Sequence, residues 1–388
     1  MFRAKENPWF MITIGSMLGY LLFGLFDSLK GSTLSSLLEE MSFNYSLGGT
    51  IVMGQYAGYF AATLFVGMLA DRYGQKVCLI AAGVSMSLGM VGYSFSSAVP
   101  LFVVFIFCMG MGLGALELVG CNIITTCYPE KKGRYLNILT AIAGIGSILS
   151  PIIVGYLLDT GLSWRMVYRY GLLIMIPSAF YFIMIRVPVH TRESRMEVYS
   201  EESGNLWQRN LLLMYIFNFL YMAAEMGIAT WIVNFYRQEK LYSVADSTRF
   251  LSLFYIGMTA GRVAGSFFVD RVGRVRSVLV AAAGSVLCIW LGVFGPMQLS
   301  GAVAFAGLFY SIVFPTGTAI MSGLPSGDLA RTQGVYFACG GLGGMFGPWA
   351  MGIVSDLFGL KWGMTLGGIF SLSIFFIIML LRNTNEKQ

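Results

Sequence analysis

The sequence predicts an all-α membrane protein of about twelve transmembrane helices, arranged as two pseudo-symmetric six-helix bundles. Hydrophobic residues make up 56% of its 388 positions and charged residues only 11%, whereas about a quarter of an ordinary soluble domain is charged. The mean hydropathy of +0.72 leaves no room for a large soluble domain, and about 20 apolar residues suffice for each span. Short motifs of the first half also recur in the second half.

Apolar runs follow one another along the chain with short polar connections between them. In lipid every backbone group must be bonded within its segment, so these runs predict helices, and the alternating segments of a barrel are absent. We place the spans near residues 9–30, 47–70, 77–98, 100–124, 136–158, 167–187, 210–236, 249–270, 277–296, 300–322, 332–356 and 361–381. The longest polar stretch then predicts an N-terminal bundle over 1–186, a cytoplasmic linker over 187–209 and a C-terminal bundle over 210–388.

Basic residues are concentrated in the segments on one side of the predicted spans. The positive-inside rule therefore places both termini and the linker in the cytoplasm. We expect the membrane to be a bacterial cell (inner) membrane. The net charge of +6 is an orientation signal, and no nucleic-acid partner is expected. The chain has no GxxxxGK phosphate loop, HExxH motif or clustered metal ligands. We expect no enzyme activity, cofactor or metal; the expected partners of this monomer are a small-molecule solute, protons and the lipid bilayer.

Two sets of residues recur in order at an offset of about half the chain. Asp71-Arg72-Tyr73-Gly74 returns as Asp270-Arg271-Val272-Gly273. The second set is a proline, a glycine and an aspartate at fixed spacing, which are Pro151, Gly155 and Asp159 in the first half and Pro348, Gly352 and Asp356 in the second. Two parallel six-helix halves are a known transporter arrangement, with the solute site predicted at their interface near the membrane midplane.

The first copy of the loop motif, residues 67–76, resembles the loop signature of the major facilitator superfamily and lies between spans two and three, where that signature belongs. Small residues at Gly67 and Gly74 are expected to let two helices approach closely. Charged neighbours would form a network that closes the cytoplasmic side. The predicted gate residues are Gly67, Asp71, Arg72, Gly74, Lys76, Asp270, Arg271 and Gly273. The alternative is a basic cytoplasmic loop with a tight glycine turn.

Three acidic residues, Asp27, Glu117 and Glu225, lie deep in apolar runs. A charge at the bilayer centre costs about 2.5–3.5 kcal/mol on insertion scales, so such residues usually face a cavity and serve transport. The single histidine, His190, lies in the linker, so carboxylates must carry any proton coupling. The alternatives are that Asp27 pairs structurally with Lys30 and that Glu225 caps a broken helix or bonds to a neighbouring span.

Amide and aromatic side chains accompany the acids, and this combination suits a sugar, whose ring stacks while its hydroxyls bond. The predicted solute-binding residues are Glu225, Asn218, Asn122, Trp231, Asn234, Tyr310 and Gln55. For the aromatic residues, interfacial belts or packing are an equal alternative. Arg262, near the middle of span eight, could pair with one of the acids or join the cytoplasmic gate; the sequence leaves these two alternatives open.

Within the superfamily, spans seven and ten resemble the fucose/proton symporter family, through residues 224–228 (AEMGI), residues 307–316 (GLFYSIVFPT) and the Gly261-Arg262 pair of span eight. In that family a first-span aspartate and a fourth-span glutamate take part in proton coupling, which implies these roles for Asp27 and Glu117. The family's fifth span carries amides that face the sugar, but residues 139–144 here offer only Thr140. The sequence therefore predicts proton-coupled symport of a sugar or related small polar solute, with proton-driven export of amphiphilic or drug-like compounds as the alternative.

Overall fold

A computed structural model describes residues 8–185, 207–324 and 329–385, so nearly all of the predicted linker, 187–209, lies outside the described residues. The described chain forms long helices, as predicted. In order they are α1 (Pro8–Asp27), α2 (Leu29–Met41), α3 (Tyr45–Tyr73), α4 (Gln75–Phe95), α5 (Val99–Cys127), α6 (Lys132–Asp159), α7 (Trp164–Met184), α8 (Arg209–Gln238), α9 (Val244–Val272), α10 (Arg274–Phe294), α11 (Ala302–Met321), α12 (Leu329–Phe358) and α13 (Leu360–Asn385). Short 3₁₀ turns occur at Pro129–Lys131 and Met297–Leu299.

Within the described residues, eleven helical stretches are long and apolar enough to cross a membrane. Helices α1 and α2 count as one of these, Phe10–Met41. The remaining long helix, α9, has 29 residues but is too polar to be counted with the others. Each predicted span therefore coincides with a helix or a pair of helices, and the all-α membrane fold is confirmed.

The first span differs from its prediction. It was expected to end near residue 30, but α1 ends at Asp27 and a second helix continues to Met41. At the break, the Lys30 ammonium donates a 2.7 Å hydrogen bond to the backbone carbonyl of Asp27. The prediction was wrong because α2 is rich in serine, threonine and charged residues, which on hydropathy alone resemble a loop.

By their internal contacts, the residues divide into two compact units. Unit 1 comprises Met1–Lys30 with Gly54–Arg195, and unit 2 comprises Gly31–Met53 with Met196–Gln388. In unit 1, α1 packs on α5 and α6, and α4 packs on α5 and α7. Glycines make these contacts close, because a methyl group at Gly24 would collide with the backbone of Ala143 on α6. Small residues commonly serve this purpose between membrane helices.

In unit 2, α8 is the central helix and packs on α9, α11, α12 and α13. The α8–α12 contact is backbone to backbone: a methyl group at Gly343 or Gly347 would collide with the carbonyl group of Phe219 or Ala223. The glycine-rich sequence of α12 thus allows close helix packing, as the composition of this segment suggests.

Unit 2 also includes a segment from near the start of the chain, residues 31–53. The carboxylate of Asp356, near the end of α12, accepts hydrogen bonds of 2.8 and 2.7 Å from the backbone N–H groups of Tyr45 and Ser46, the first residues of α3. A carboxylate at a helix N-terminus satisfies free N–H groups and complements the helix dipole. Arg237 adds a 2.6 Å ion pair with Glu39. These contacts hold the start of α3 against α12 and the end of α2 against α8.

Candidate functional site

Asp27, at the end of α1, is the centre of a compact polar cluster in unit 1. Its carboxylate lies 2.5 Å from the Lys30 ammonium and accepts a 3.1 Å hydrogen bond from the Gln55 amide. The same ammonium lies 4.7 Å above the centre of the Tyr56 ring. The Lys30 and Asp27 side chains are 6% and 19% exposed. Because the pair carries no net charge, its cost in an apolar environment is lower than that of either ion alone.

Glu117, on α5, lies in the same unit and is half-buried. The Tyr59 hydroxyl donates a 2.5 Å hydrogen bond to its carboxylate. The Phe23 ring of α1 lies 6.3 Å from the Tyr59 ring, centre to centre, and covers this pair from the side of the first helix. Glu117 is therefore held at a defined position by a neutral hydroxyl group.

One face of α3 connects the two acids. Gln55, which bonds Asp27, and Tyr59, which bonds Glu117, are four residues apart and so share a face of the helix. Glycines bring α5 close to this face, since a methyl group at Gly110 would collide with the Gln55 carbonyl. One turn later, a methyl group at Gly114 would lie 2.9 Å from the Tyr59 carbonyl oxygen. The predicted proton-coupling residues thus occupy a single polar region of unit 1.

Tyr59 is a residue that the sequence reasoning missed. It lies in an apolar run, and a tyrosine there is equally typical of packing or of an interfacial belt. The available signal was its spacing of four residues from Gln55, which places both side chains on one face of the helix. That spacing does not reveal which acid the face meets.

Glu225, on α8, belongs to a second cluster, in unit 2. The side chain is 6% exposed. The hydroxyl group of Tyr221, one turn earlier, lies within electrostatic range of the Glu225 carboxylate and of the Arg262 guanidinium on α9. The same hydroxyl donates a 3.3 Å hydrogen bond to the backbone carbonyl of Tyr310 on α11, and the Tyr310 hydroxyl lies 2.8 Å from that of Ser371. Helices α8 and α11 therefore meet at Tyr221 and Tyr310, and α9 contributes a guanidinium within electrostatic range of the Tyr221 hydroxyl.

The predicted amide ligands of α8 are fully buried in unit 2. Asn218 donates a 2.7 Å hydrogen bond to the backbone carbonyl of Tyr336. Its side-chain oxygen, and both amide atoms of Asn234, have no hydrogen-bond partner among the described residues. Buried polar atoms without partners are rare in folded proteins and are usually met by water or a ligand.

Two further predicted solute contacts are Trp231, on the same helix, and Asn122, in unit 1. The Trp231 indole is fully buried and donates a 2.9 Å hydrogen bond to the Pro348 carbonyl of α12. It also packs edge-on against Tyr45 at 5.5 Å between ring centres, so in this structure it fills a helix contact. Asn122 is half-buried on α5, five residues beyond Glu117.

The two loop motifs have the same backbone geometry. Helix α3 ends at Tyr73 and α4 begins at Gln75, while α9 ends at Val272 and α10 begins at Arg274. The intervening residues, Gly74 and Gly273, have φ angles of 91° and 93°. Only glycine adopts such angles readily, so each motif is a tight turn that requires glycine.

The expected close helix approach at Gly67 and Gly74 was wrong for this structure. A methyl group at either glycine would have no described heavy atom within 4 Å. The glycine at position 74 is explained by its positive φ instead of by packing. The Arg72 guanidinium lies 5.3 Å from the neighbouring Tyr73 ring. Lys76 is half-buried, and Asp71 and Arg271 are exposed on the same motifs, whereas the side chain of Asp270 lies outside the described residues.

Comparison with known proteins identifies a transporter family and several similar transporters. The sequence profile described as the Major Facilitator Superfamily matches residues 16–248 and 214–388. A putative niacin/nicotinamide transporter of Bacillus subtilis (strain 168), NiaP, is 23% identical, over 91% of this chain and 90% of its own. The solved nucleoside transporter NupG superposes with a TM-score of 0.78 at 14% identity, covering 97% of this chain and 99% of its own.

The fucose:proton symporter of E. coli, FucP, is also similar in structure. It superposes with a TM-score of 0.62 at 18% identity, covering 98% of this chain and 99% of its own. At these identities the structural likenesses show the fold alone. The predicted superfamily is confirmed by the match of its profile to both halves of the chain.

Proposed function

The chain belongs to the Major Facilitator Superfamily, and on that premise we propose that it is a proton-coupled symporter of a sugar or related small polar solute. The family assignment makes it a multi-pass integral membrane transporter and not an enzyme. What we propose beyond this assignment is that the coupling ion is a proton and that the solute is a sugar or related small polar molecule. Transport would follow alternating access, in which the solute is exposed to one side of the membrane at a time.

The observation that carries the coupling proposal is the face of α3 that holds both acids of unit 1. Glu117 is the better candidate for the titrating group, because the Tyr59 hydroxyl that bonds it is neutral and can remain bonded to either protonation state. Asp27 is different, because protonation of its carboxylate would remove the anion that lies 2.5 Å from the Lys30 ammonium. We therefore assign proton exchange to Glu117 and a supporting electrostatic role to Asp27.

The solute class is supported by the chemistry of unit 2. Glu225 and the unsatisfied side-chain oxygen of Asn218, two turns earlier on α8, supply acceptors for hydroxyl groups. Asn234, whose amide atoms are also unsatisfied, lies about 24 Å from Asn218 along the helix axis, so one small solute does not span both amides. Hydrogen-bonding groups of this kind within an otherwise apolar site are typical of small-molecule pockets. The similar proteins are named as transporters of niacin or nicotinamide, nucleosides and fucose, all of them small solutes with polar groups.

The remaining features of the proposal follow from the sequence. We place both termini and the linker on the cytoplasmic side of a bacterial inner membrane. We expect the protein to be a monomer. The halves 1–186 and 210–388 stay predicted bundles, and the loop motifs that end in Gly74 and Gly273 stay predicted gate elements.

Transport into proteoliposomes would test the coupling. A thermal-shift screen of sugars at two pH values first identifies a solute that binds the purified protein. That solute is then supplied outside vesicles under an inward proton gradient, with empty liposomes and protonophore-treated vesicles as controls. Symport predicts uptake above the external concentration that collapses with the protonophore. Uptake that only equilibrates, whatever the gradient, would contradict proton coupling.

The exporter alternative makes the opposite prediction. Vesicles preloaded with an amphiphilic dye would lose it against its gradient when the proton gradient favours exchange of protons for dye. Expression would also raise the resistance of cells to such compounds. Concentrative uptake of a polar solute without either effect excludes this alternative.

A further inference from the structure

Helix α9 has three faces, and two of them have clear roles. Gly257, Gly261 and Gly265 face α11, because a methyl group at these positions would meet the backbone of Leu308 or collide with side chains of α11. A second face is apolar and exposed, and it consists of Ile256, Val263 and Phe267. Exposed large apolar side chains on a membrane helix identify the surface that meets lipid. The third face has neither property.

This third face is a polar stripe. Its members recur at alternating intervals of four and three residues, the spacing of a single helix face, and they are Thr248, Ser252, Tyr255, Thr259 and Arg262. At about 100° per residue, Arg262 points about 100–140° away from Ile256, Val263 and Phe267, and about 60–140° away from the three glycines. The stripe also explains why α9 is too polar to be counted among the apolar spans.

Exposure increases along the stripe. Thr248 and Ser252 are buried, Tyr255 and Thr259 are half-buried, and Arg262 is exposed. A charged side chain directed into lipid at mid-membrane costs about 2.5–3.5 kcal/mol on insertion scales. Since the exposed end of the stripe carries a guanidinium and does not lie on the lipid face, it is accessible to water. The stripe therefore runs from the interior of unit 2 to a water-accessible surface.

Arg262 is available to a ligand. Among the described residues it forms neither a hydrogen bond nor an ion pair. It is also remote from the loop motif on its own helix, because eight residues separate it from Asp270, about 12 Å along the helix axis. Across the contact between α8 and α9, Arg262 lies within electrostatic range of the Tyr221 hydroxyl, as Glu225 does on α8 itself.

We propose that Arg262 is a specificity-determining residue that binds a carboxylate of the solute, and that the solute is a hydroxylated monocarboxylate, the class that includes the sugar acids. A guanidinium binds a carboxylate through two parallel hydrogen bonds. Glu225, one turn beyond Tyr221 on α8, can accept hydrogen bonds from hydroxyl groups but repels a second negative charge. The pair of residues therefore selects one anionic end and one hydroxylated end. This inference rests on the proposed transport of a polar solute and narrows its class.

Matched acid and neutral solutes would test the inference. The wild-type protein in nanodiscs is melted with D-galacturonate or D-galactose, and with D-glucuronate or D-glucose. We expect at least one acid to raise the melting temperature well above the effect of its neutral partner. Arg262→Gln should weaken binding of that acid by at least about tenfold, the effect of losing a charged hydrogen-bonding partner. Arg262→Lys should recover part of the affinity, because it restores the charge without the two-pronged geometry.

Arg249→Gln is the matched control on the same helix. Arg249 is 70% exposed and pairs with Asp246 in the first turns of α9, so its loss should leave acid binding unchanged. The inference is overturned if no acid of the panel stabilises the wild type, if neutral sugars stabilise it equally, or if Arg262→Gln binds the acid as well as the wild type. Proton-driven uptake of a neutral sugar would reject this inference and keep the proposed function. If acid binding depends on Arg262 but no proton-driven uptake occurs, proton coupling is rejected and the role of Arg262 in binding is kept.

Discussion

The acids of the two units are held in different ways. In unit 1, Asp27 and Glu117 are each fixed by short hydrogen bonds from one face of α3, at 3.1 Å from Gln55 and 2.5 Å from Tyr59. In unit 2, Glu225 lies one turn beyond Tyr221 on α8, and the exposed Arg262 is within electrostatic range of the same tyrosine hydroxyl. A carboxylate bonded by a neutral hydroxyl group suits the gain and loss of a proton, whereas an acid and a base grouped around one tyrosine suit recognition of a polar molecule. We interpret unit 1 as the coupling half and unit 2 as the recognition half.

The largest effect is expected from Glu117→Gln, which tests whether unit 1 carries the proton coupling. The amide still accepts a hydrogen bond from Tyr59 but cannot ionise, so proton-driven accumulation should fall to simple equilibration while solute exchange continues. Uptake under a proton gradient and counterflow without one measure the two activities. Glu130→Gln, at an exposed position between α5 and α6, is the control and should accumulate normally. Full accumulation by Glu117→Gln would remove the coupling role.

Glu225→Gln tests the recognition half. Loss of a charged hydrogen-bond partner costs about 1.5–3 kcal/mol, so the dissociation constant of the bound solute should rise roughly 10- to 100-fold. Accumulation at saturating solute should persist, since coupling is assigned to unit 1. Titration calorimetry and proteoliposome uptake would measure these effects. Glu239→Gln, which changes a carboxylate paired with Lys361 just after α8, should leave affinity unchanged, and an unchanged affinity for Glu225→Gln would mean that Glu225 does not contact the solute.

Lys30→Met tests whether the Asp27 carboxylate of unit 1 needs its cation. The change leaves the Asp27 carboxylate without an ion pair of 2.5 Å in a mostly buried position, and we expect a stability loss on the order of 2 kcal/mol. Adding Asp27→Asn should recover much of this loss, because a neutral amide needs no counter-ion. Melting temperatures of the single and double variants form a double-mutant cycle. Purely additive losses would show that the two residues do not act as a pair.

The smallest effects are expected at the glycine turns, which occur in both units. Gly74→Ala and Gly273→Ala should each cost about 1–2 kcal/mol, because both glycines have φ near 90° and a side chain is strained there. Gly67→Ala is the control: it lies within helix α3 with no described atom within 4 Å of the added methyl group, so stability should not fall. Equal melting-temperature losses at positions 74 and 273 are expected; clearly unequal losses would mean that the turns are not equivalent.

Sequence reasoning identified features that depend on local properties of the chain. The apolar runs correspond to the helices, and the recurring aspartate–arginine–glycine motif corresponds to two turns with φ of 91° and 93°. It was less successful where local properties are ambiguous. The serine-rich helix α2 resembled a loop, and Gly67 resembled a packing glycine although no described neighbour approaches it.

The sequence by itself determined the class of protein, the helical spans, the internal repeat and the presence of acids that lipid would not tolerate, because hydropathy and turn chemistry act over a few residues. The tertiary structure alone decided which side chains meet. Tyr59 and Glu117 are 58 residues apart, and Asp356 caps Tyr45 across 311 residues. Helical periodicity specifies the face on which a residue lies, but it carries no information about the helix that will pack against that face.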